Sequence, residues 1–115
     1  MDKLQRYRQI IRTILTEQAQ PDNHADEVEP TIICDTKGDH YQLAYIGWEG
    51  PKHKQRRVFG ILLHFDIKDG KIWIQYNGTE LSIAQRLTDE GVPPTDIVIG
   101  FHSEFKRQFN GYAVA

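Results

Sequence analysis

The chain has 115 residues, 39% hydrophobic and 26% charged, a globular balance with room for one core and too little for a second. Its net charge of −2 offers nucleic acid no attractive overall field, and the single cysteine, Cys34, excludes an internal disulfide and a multi-cysteine zinc site. The longest apolar runs, such as Ile61-Leu62-Leu63, are far too short to span a bilayer.

Residues 1–115 are expected to form a single domain. The opening Met1-Asp2-Lys3-Leu4 has no signal-peptide character, so the expected location is cytoplasmic. From Asp2 to Gln18, Leu4, Tyr7, Ile11, Ile14, Leu15 and Gln18 recur at helical spacing with Ile10 on the flank, which predicts an amphipathic helix. Asp2 followed by Gln5 fits a capping box. Arg6, Arg8 and Arg12 occupy the other side. Pro21 should end the helix, and Asp22–Glu27 reads as an acidic loop.

Strands are predicted at Glu29–Asp35, with Pro30 suited to an edge, and at His40–Trp48, where Tyr41, Leu43 and Tyr45 alternate with His40, Gln42, Ala44 and Ile46. The clearest local signal is Asp69-Gly70 between Arg56–Lys68 and Lys71–Asn77, which predicts a two-residue type I′ hairpin. That turn pairs Ile67 with Ile72, Asp66 with Trp73, Phe65 with Ile74, His64 with Gln75 and Leu63 with Tyr76. Directly opposed residues share a sheet face. One predicted face, the core, therefore holds Phe59, Ile61, Leu63, Phe65, Ile67, Ile72, Ile74 and Tyr76. The second holds Leu62, His64, Asp66, Trp73, Gln75 and Asn77.

Glu80–Glu90 predicts a second helix packed through Leu81, Ile83, Ala84 and Leu87 and stopped by Gly91. Ile97-Val98-Ile99 predicts a short strand, and His102–Asn110 a short helix carrying Phe105 and Phe109. The resulting class is α+β: two layers, a mainly antiparallel sheet and helices on one face.

Residues able to carry chemistry are few. His64 and Asp66 point the same way, about 6–7 Å apart along the strand, which is half of a general-base arrangement. Their expected neighbours, Gln75 and Trp73, cannot act as nucleophiles, so no catalytic residue is assigned and no enzyme is expected, the less favoured alternative being a hydrolase or metal-dependent enzyme that uses His64 and Asp66. A metal site built from His64, Asp66 and His40 would suit zinc. The five histidines show no ligand spacing, however, so no metal or cofactor is expected. No phosphate-binding glycine motif occurs.

The second face, with Leu62, His64, Asp66, Trp73 and Gln75, is the candidate partner interface, because a tryptophan among mixed neighbours suits one. The alternative is that Phe101, Phe105, Phe109 and Tyr112 fold over it within the same chain. Acids dominate residues 21–50, whereas residues 51–58 carry Lys52, Lys54, Arg56 and Arg57. Those four, with Arg6, Arg8 and Arg12, form the candidate basic surface, either a partner or nucleic-acid contact or simply a solvated loop and helix face.

Several strings together carry a family resemblance: Tyr7-Arg8-Gln9-Ile10-Ile11, Asp39-His40-Tyr41-Gln42-Leu43, Arg57-Val58-Phe59-Gly60, His64–Gln75, Asn77-Gly78-Thr79-Glu80, Gly91-Val92-Pro93 and Gly100-Phe101-His102. Over nearly its whole length the chain resembles the XisI family, the fdxN element excision controlling factors of cyanobacteria. That resemblance implies a non-enzymatic accessory role in programmed excision of a DNA element, with a separate recombinase exchanging the strands. It also implies an XisH-like companion protein as partner. A homodimer and direct DNA binding are further expectations, the latter less favoured, and no membrane partner is expected. The family supplies no catalytic residues to carry over.

Overall fold

Asp2 starts the first helix as predicted: its carboxylate accepts from the Gln5 N–H at 2.9 Å, satisfying one of the orphan donors of a helix start. The computed structural model describes residues 2–20 and 27–115. Helix α1 (Lys3–Gln18) buries Tyr7, Ile10, Ile11, Ile14 and Leu15. The expected stop at Pro21 and the acidic loop at 22–26 lie outside the described residues.

Strands β1 (Val28–Asp35), β2 (His40–Glu49), β3 (Arg56–Lys68) and β4 (Lys71–Asn77) form an antiparallel meander. Helix α2 (Ile83–Asp89) and a 3-10 turn at Pro94–Asp96 then carry the chain to β5 (Ile97–Ile99), which lies parallel to β4. The five-stranded order is β1-β2-β3-β4-β5, and a one-turn helix, α3 (Glu104–Arg107), follows. Side chains from α1 and α2 share one core with Tyr41, Leu43, Tyr45, Leu63, Phe65, Ile67, Ile72, Ile74, Ile97 and Ile99. This is the predicted α+β arrangement, with both helices against one sheet face.

The hairpin behaves as its sequence dictates. Asp69 (φ 54°) and Gly70 (φ 76°) both adopt the left-handed backbone that a type I′ turn requires. Asp39 (φ 60°) does the same in the β1–β2 turn, and its carboxylate clamps α1 onto the sheet. It accepts from Arg8 Nε at 2.8 Å and Nη2 at 3.1 Å, and from the Tyr41 hydroxyl at 2.7 Å. The Arg8 guanidinium holds the Asp39 carboxyl below the usual carboxylate range.

Three expectations are corrected. The β3–β4 register follows the turn from Lys68–Lys71 to Phe65–Ile74, then shifts so that His64 faces Tyr76 and Leu63 faces Asn77. The β2–β3 register shifts likewise, with Leu63 facing Leu43 but Ile61 facing Ala44. Each one-residue offset inverts which side chains point inward beyond it. Phe59 and Tyr76, predicted as core, are therefore 70% and 51% exposed. Leu62 moves the other way and packs against the core.

The third correction is at α2, which begins at Ile83, capped by Ser82, and not at Glu80. Asn77 holds the preceding residues in a turn, its Oδ1 accepting from the Thr79 N–H and its Nδ2 donating to the Leu81 carbonyl. Leu81 is 54% exposed as a result.

Candidate functional site

On the face away from α1 and α2, strand pairing assembles a polar cluster. His40 lies directly across from Asp66 in the β2–β3 ladder, and Gln42 across from His64. Asp66 Oδ1 receives both imidazoles, His40 Nδ1 at 2.7 Å and His64 Nε2 at 2.7 Å. Its Oδ2 accepts from Gln75 Nε2 at 3.1 Å, while Gln42 Nε2 stands 2.9 Å from His64 Nδ1. With Nε2 donating to the carboxylate, His64 Nδ1 is left to accept from Gln42.

Asp66 is a buried charged side chain, and such a group demands compensation. Burial pushes its carboxyl up, but the hydrogen bonds from His40, His64 and Gln75 outweigh that and hold it below the ordinary range. The same bond, seen from the other partner, raises the His40 imidazole.

Trp73 faces Asp66 across the hairpin and Val98 on β5. Lys68 Nζ lies 4.3 Å from its ring centre and the Arg107 guanidinium 5.1 Å from it, so two cations lie over the ring. Arg107 also secures the C-terminal segment, donating to the carbonyls of His102, Val114 and Gly100. Ala113 bridges Val98, and Val98 is fully buried. The C-terminal segment thus covers the Val98 end of this face, through its backbone and Arg107. Phe101, Phe105 and Phe109 remain exposed.

Of the five residues read as a partner interface, His64, Asp66, Trp73 and Gln75 come together here, and Leu62 sits at the register shift against the core. The offsets that removed Phe59 and Tyr76 from the core place them on this face, Phe59 opposite Ile46 and Tyr76 opposite His64. Sequence reading missed both: Gly60 near the first shift is the kind of strand glycine that marks a bulge, and the second shift, at Gln75, carries no such signal.

The basic residues do not converge. Arg8 is engaged by Asp39, and Arg6 donates to the Glu90 carbonyl at 3.0 Å. Lys52 pairs with Glu27 and Arg56 with Glu49, so the acidic and basic stretches partly neutralise each other within the molecule. Arg57 lies 5.2 Å over the Trp48 ring. Lys54 and Arg12 are exposed.

A family model described as XisI protein matches residues 1–114. The chain belongs to the XisI family. Two solved structures share the XisI fold with it. A XisI-like protein from Anabaena variabilis is 39% identical, with a TM-score of 0.87 over 99% of this chain and 100% of that one. The fdxN element excision controlling factor XisI from Anabaena variabilis is 36% identical, with a TM-score of 0.81 over the same shares. No curated protein matches. The sequence resemblance to XisI is thereby established along the chain, and among the described residues no helix is long and apolar enough to cross a membrane.

Proposed function

We propose that this XisI-family chain is a non-enzymatic accessory factor in DNA-element excision, acting as one domain in the cytoplasm. It binds an XisH-like companion protein through the Trp73 face, while a separate recombinase performs strand exchange. The family match and the name of the Anabaena variabilis excision controlling factor support the process. The observation that carries the binding surface is the exposure of Phe59 and Tyr76 on the face that also presents His64, Asp66, Trp73 and Gln75. Exposed aromatics beside a satisfied polar cluster give an interface both apolar area and orientation.

Direct duplex binding draws less support. Arg8, Lys52 and Arg56 already have acidic partners, and the net charge is negative, whereas phosphate contacts need uncompensated cations.

Co-expression with the companion followed by affinity capture tests the proposal. A complex stable at micromolar concentration is expected, weakened at least about tenfold by Trp73→Ala, as for a central interface aromatic. Because Trp73 is partly buried, Tyr76→Glu and Phe59→Glu serve beside it, since both side chains are exposed and neither change opens a cavity. Absence of a complex, or affinity indifferent to all three changes, would overturn it.

A further inference from the structure

We propose that His40, His64 and Asp66 form a binding site for a divalent transition-metal ion of the zinc class, two imidazoles and one carboxylate with a further position open to solvent. Sequence spacing gave no reason to expect a metal, and the fold supplies one. One ligand atom from each residue lies within 4.8 Å of the others. Two of the three separations are 2.7 Å, both to Asp66 Oδ1. Donors held about 2.0–2.1 Å from a tetrahedral ion stand about 3.3 Å apart, so the two contacts to Asp66 need to open by about 0.6 Å, while the third, between the two imidazoles, starts within 4.8 Å.

Three features distinguish this cluster from an incidental surface group. First, the carboxylate is sunk in the sheet while the imidazoles shield it: side-chain exposure is 12% for Asp66, 24% for His64 and 57% for His40. That gradient leaves an entry path on the His40 side. Second, the ligands stand on two adjacent hydrogen-bonded strands, with His40 and Asp66 directly paired and His64 two residues along, so the backbone fixes their spacing. Third, the outer hydrogen-bond partners already stand beside the ligands, the Gln42 amide needing only to turn over. Gln75 steadies Asp66 Oδ2, and Gln42 reaches His64 Nδ1, the arrangement that orients ligating histidines.

Binding has a defined proton balance. In the empty cluster His64 carries its proton on Nε2, facing Asp66. A metal on Nε2 requires that proton on Nδ1, where the Gln42 amide, turned over, accepts it through Oε1. His40 exchanges its Nδ1 proton for one on Nε2. The carboxylate needs no proton change.

The test uses the full chain, stripped with a chelator and titrated with zinc in a calorimeter, with cobalt(II) as a spectroscopic probe. One equivalent should bind with a dissociation constant at or below about 10 μM, cobalt should show visible d–d bands of a low-symmetry site, and Tm should rise with zinc. His40→Ala removes an exposed ligand without opening the core and should weaken binding at least tenfold. Gln42→Ala should weaken it by roughly 10–100-fold, and His102→Ala should leave it unchanged. No saturable uptake, or binding that survives both His40→Ala and His64→Ala, would show that the cluster is held by hydrogen bonds alone.

Discussion

Two glycines show how little of a residue's role its identity declares. A Cβ at Gly47 would lie 1.9 Å from the Glu27 carbonyl oxygen, a backbone atom with nowhere to go, whereas a Cβ at Gly60 would meet nothing within 4 Å. Gly47→Ala should therefore destabilise the chain by about 1–3 kcal/mol or more, the range of an overpacked interior. Gly60→Ala should stay within about 0.5 kcal/mol of the parent. Denaturant midpoints of the two variants give the comparison directly. Nothing in the sequence separates these residues, because the close approach comes from β1 folding back on β2. The polar cluster was partly legible at this scale: His64 and Asp66 share a strand face by simple alternation. The sequence offers His40 as a third ligand, but its place across from Asp66 rests on the β2–β3 register, which Gly50-Pro51 in that long connection marks as a turn without fixing.

Among the elements, those written by local rules were read correctly apart from the start of α2, where the Asn77 turn and the Ser82 cap were missed. The α1 cap, the apolar stripe and the Asp69-Gly70 turn depend on residues close in sequence. The two register shifts depend on how one strand meets its neighbour, so Leu62, Phe59 and Tyr76 were placed on the wrong side. The turn itself makes a sharp prediction. Gly70 holds φ 76°, and Gly70→Ala should cost about 1 kcal/mol, read from the thermal midpoint.

The contact between helices predicts a pH effect. Arg86 on α2 donates to Glu17 on α1, Nη2 to Oε1 at 3.0 Å, and that bond lowers the Glu17 carboxyl from its ordinary value. A lowered folded pKa means the stabilisation is whole above about pH 4.3, the unfolded value for glutamate. It is lost as pH falls through the folded value. Because the pair is partly exposed, its worth is at most about 1 kcal/mol. Unfolding of the parent and of Glu17→Gln should differ at pH 7 and converge in acid; a gap unchanged at low pH would assign the effect elsewhere.

At the scale of the whole molecule, the chain measures 51 × 34 × 24 Å, with a radius of gyration of 15.7 Å. That exceeds the value of about 13 Å that compact-domain scaling gives for this length. Part of the elongation comes from β3, whose first half pairs with β2 and extends past the end of β4. At the opposite side of the sheet, Arg107 gathers three carbonyls of the C-terminal segment against Trp73. Arg107→Ala removes charged donors from all three, and a loss of about 2 kcal/mol is expected. Hydrogen exchange should quicken first at residues 100–115 and at β5, while β1–β3 keep their protection; uniform acceleration across the sheet would contradict this.

The bridge between Val98 and Ala113 has a consequence for self-recognition. It occupies the outer side of β5 at Val98 with the chain's own C-terminal segment, so among the described residues strand addition is left to β1, where Pro30 removes one of the donors a newcomer needs, and to the first half of β3, which β4 does not reach. A second copy seeking to add a strand therefore finds the β5 margin already taken at Val98.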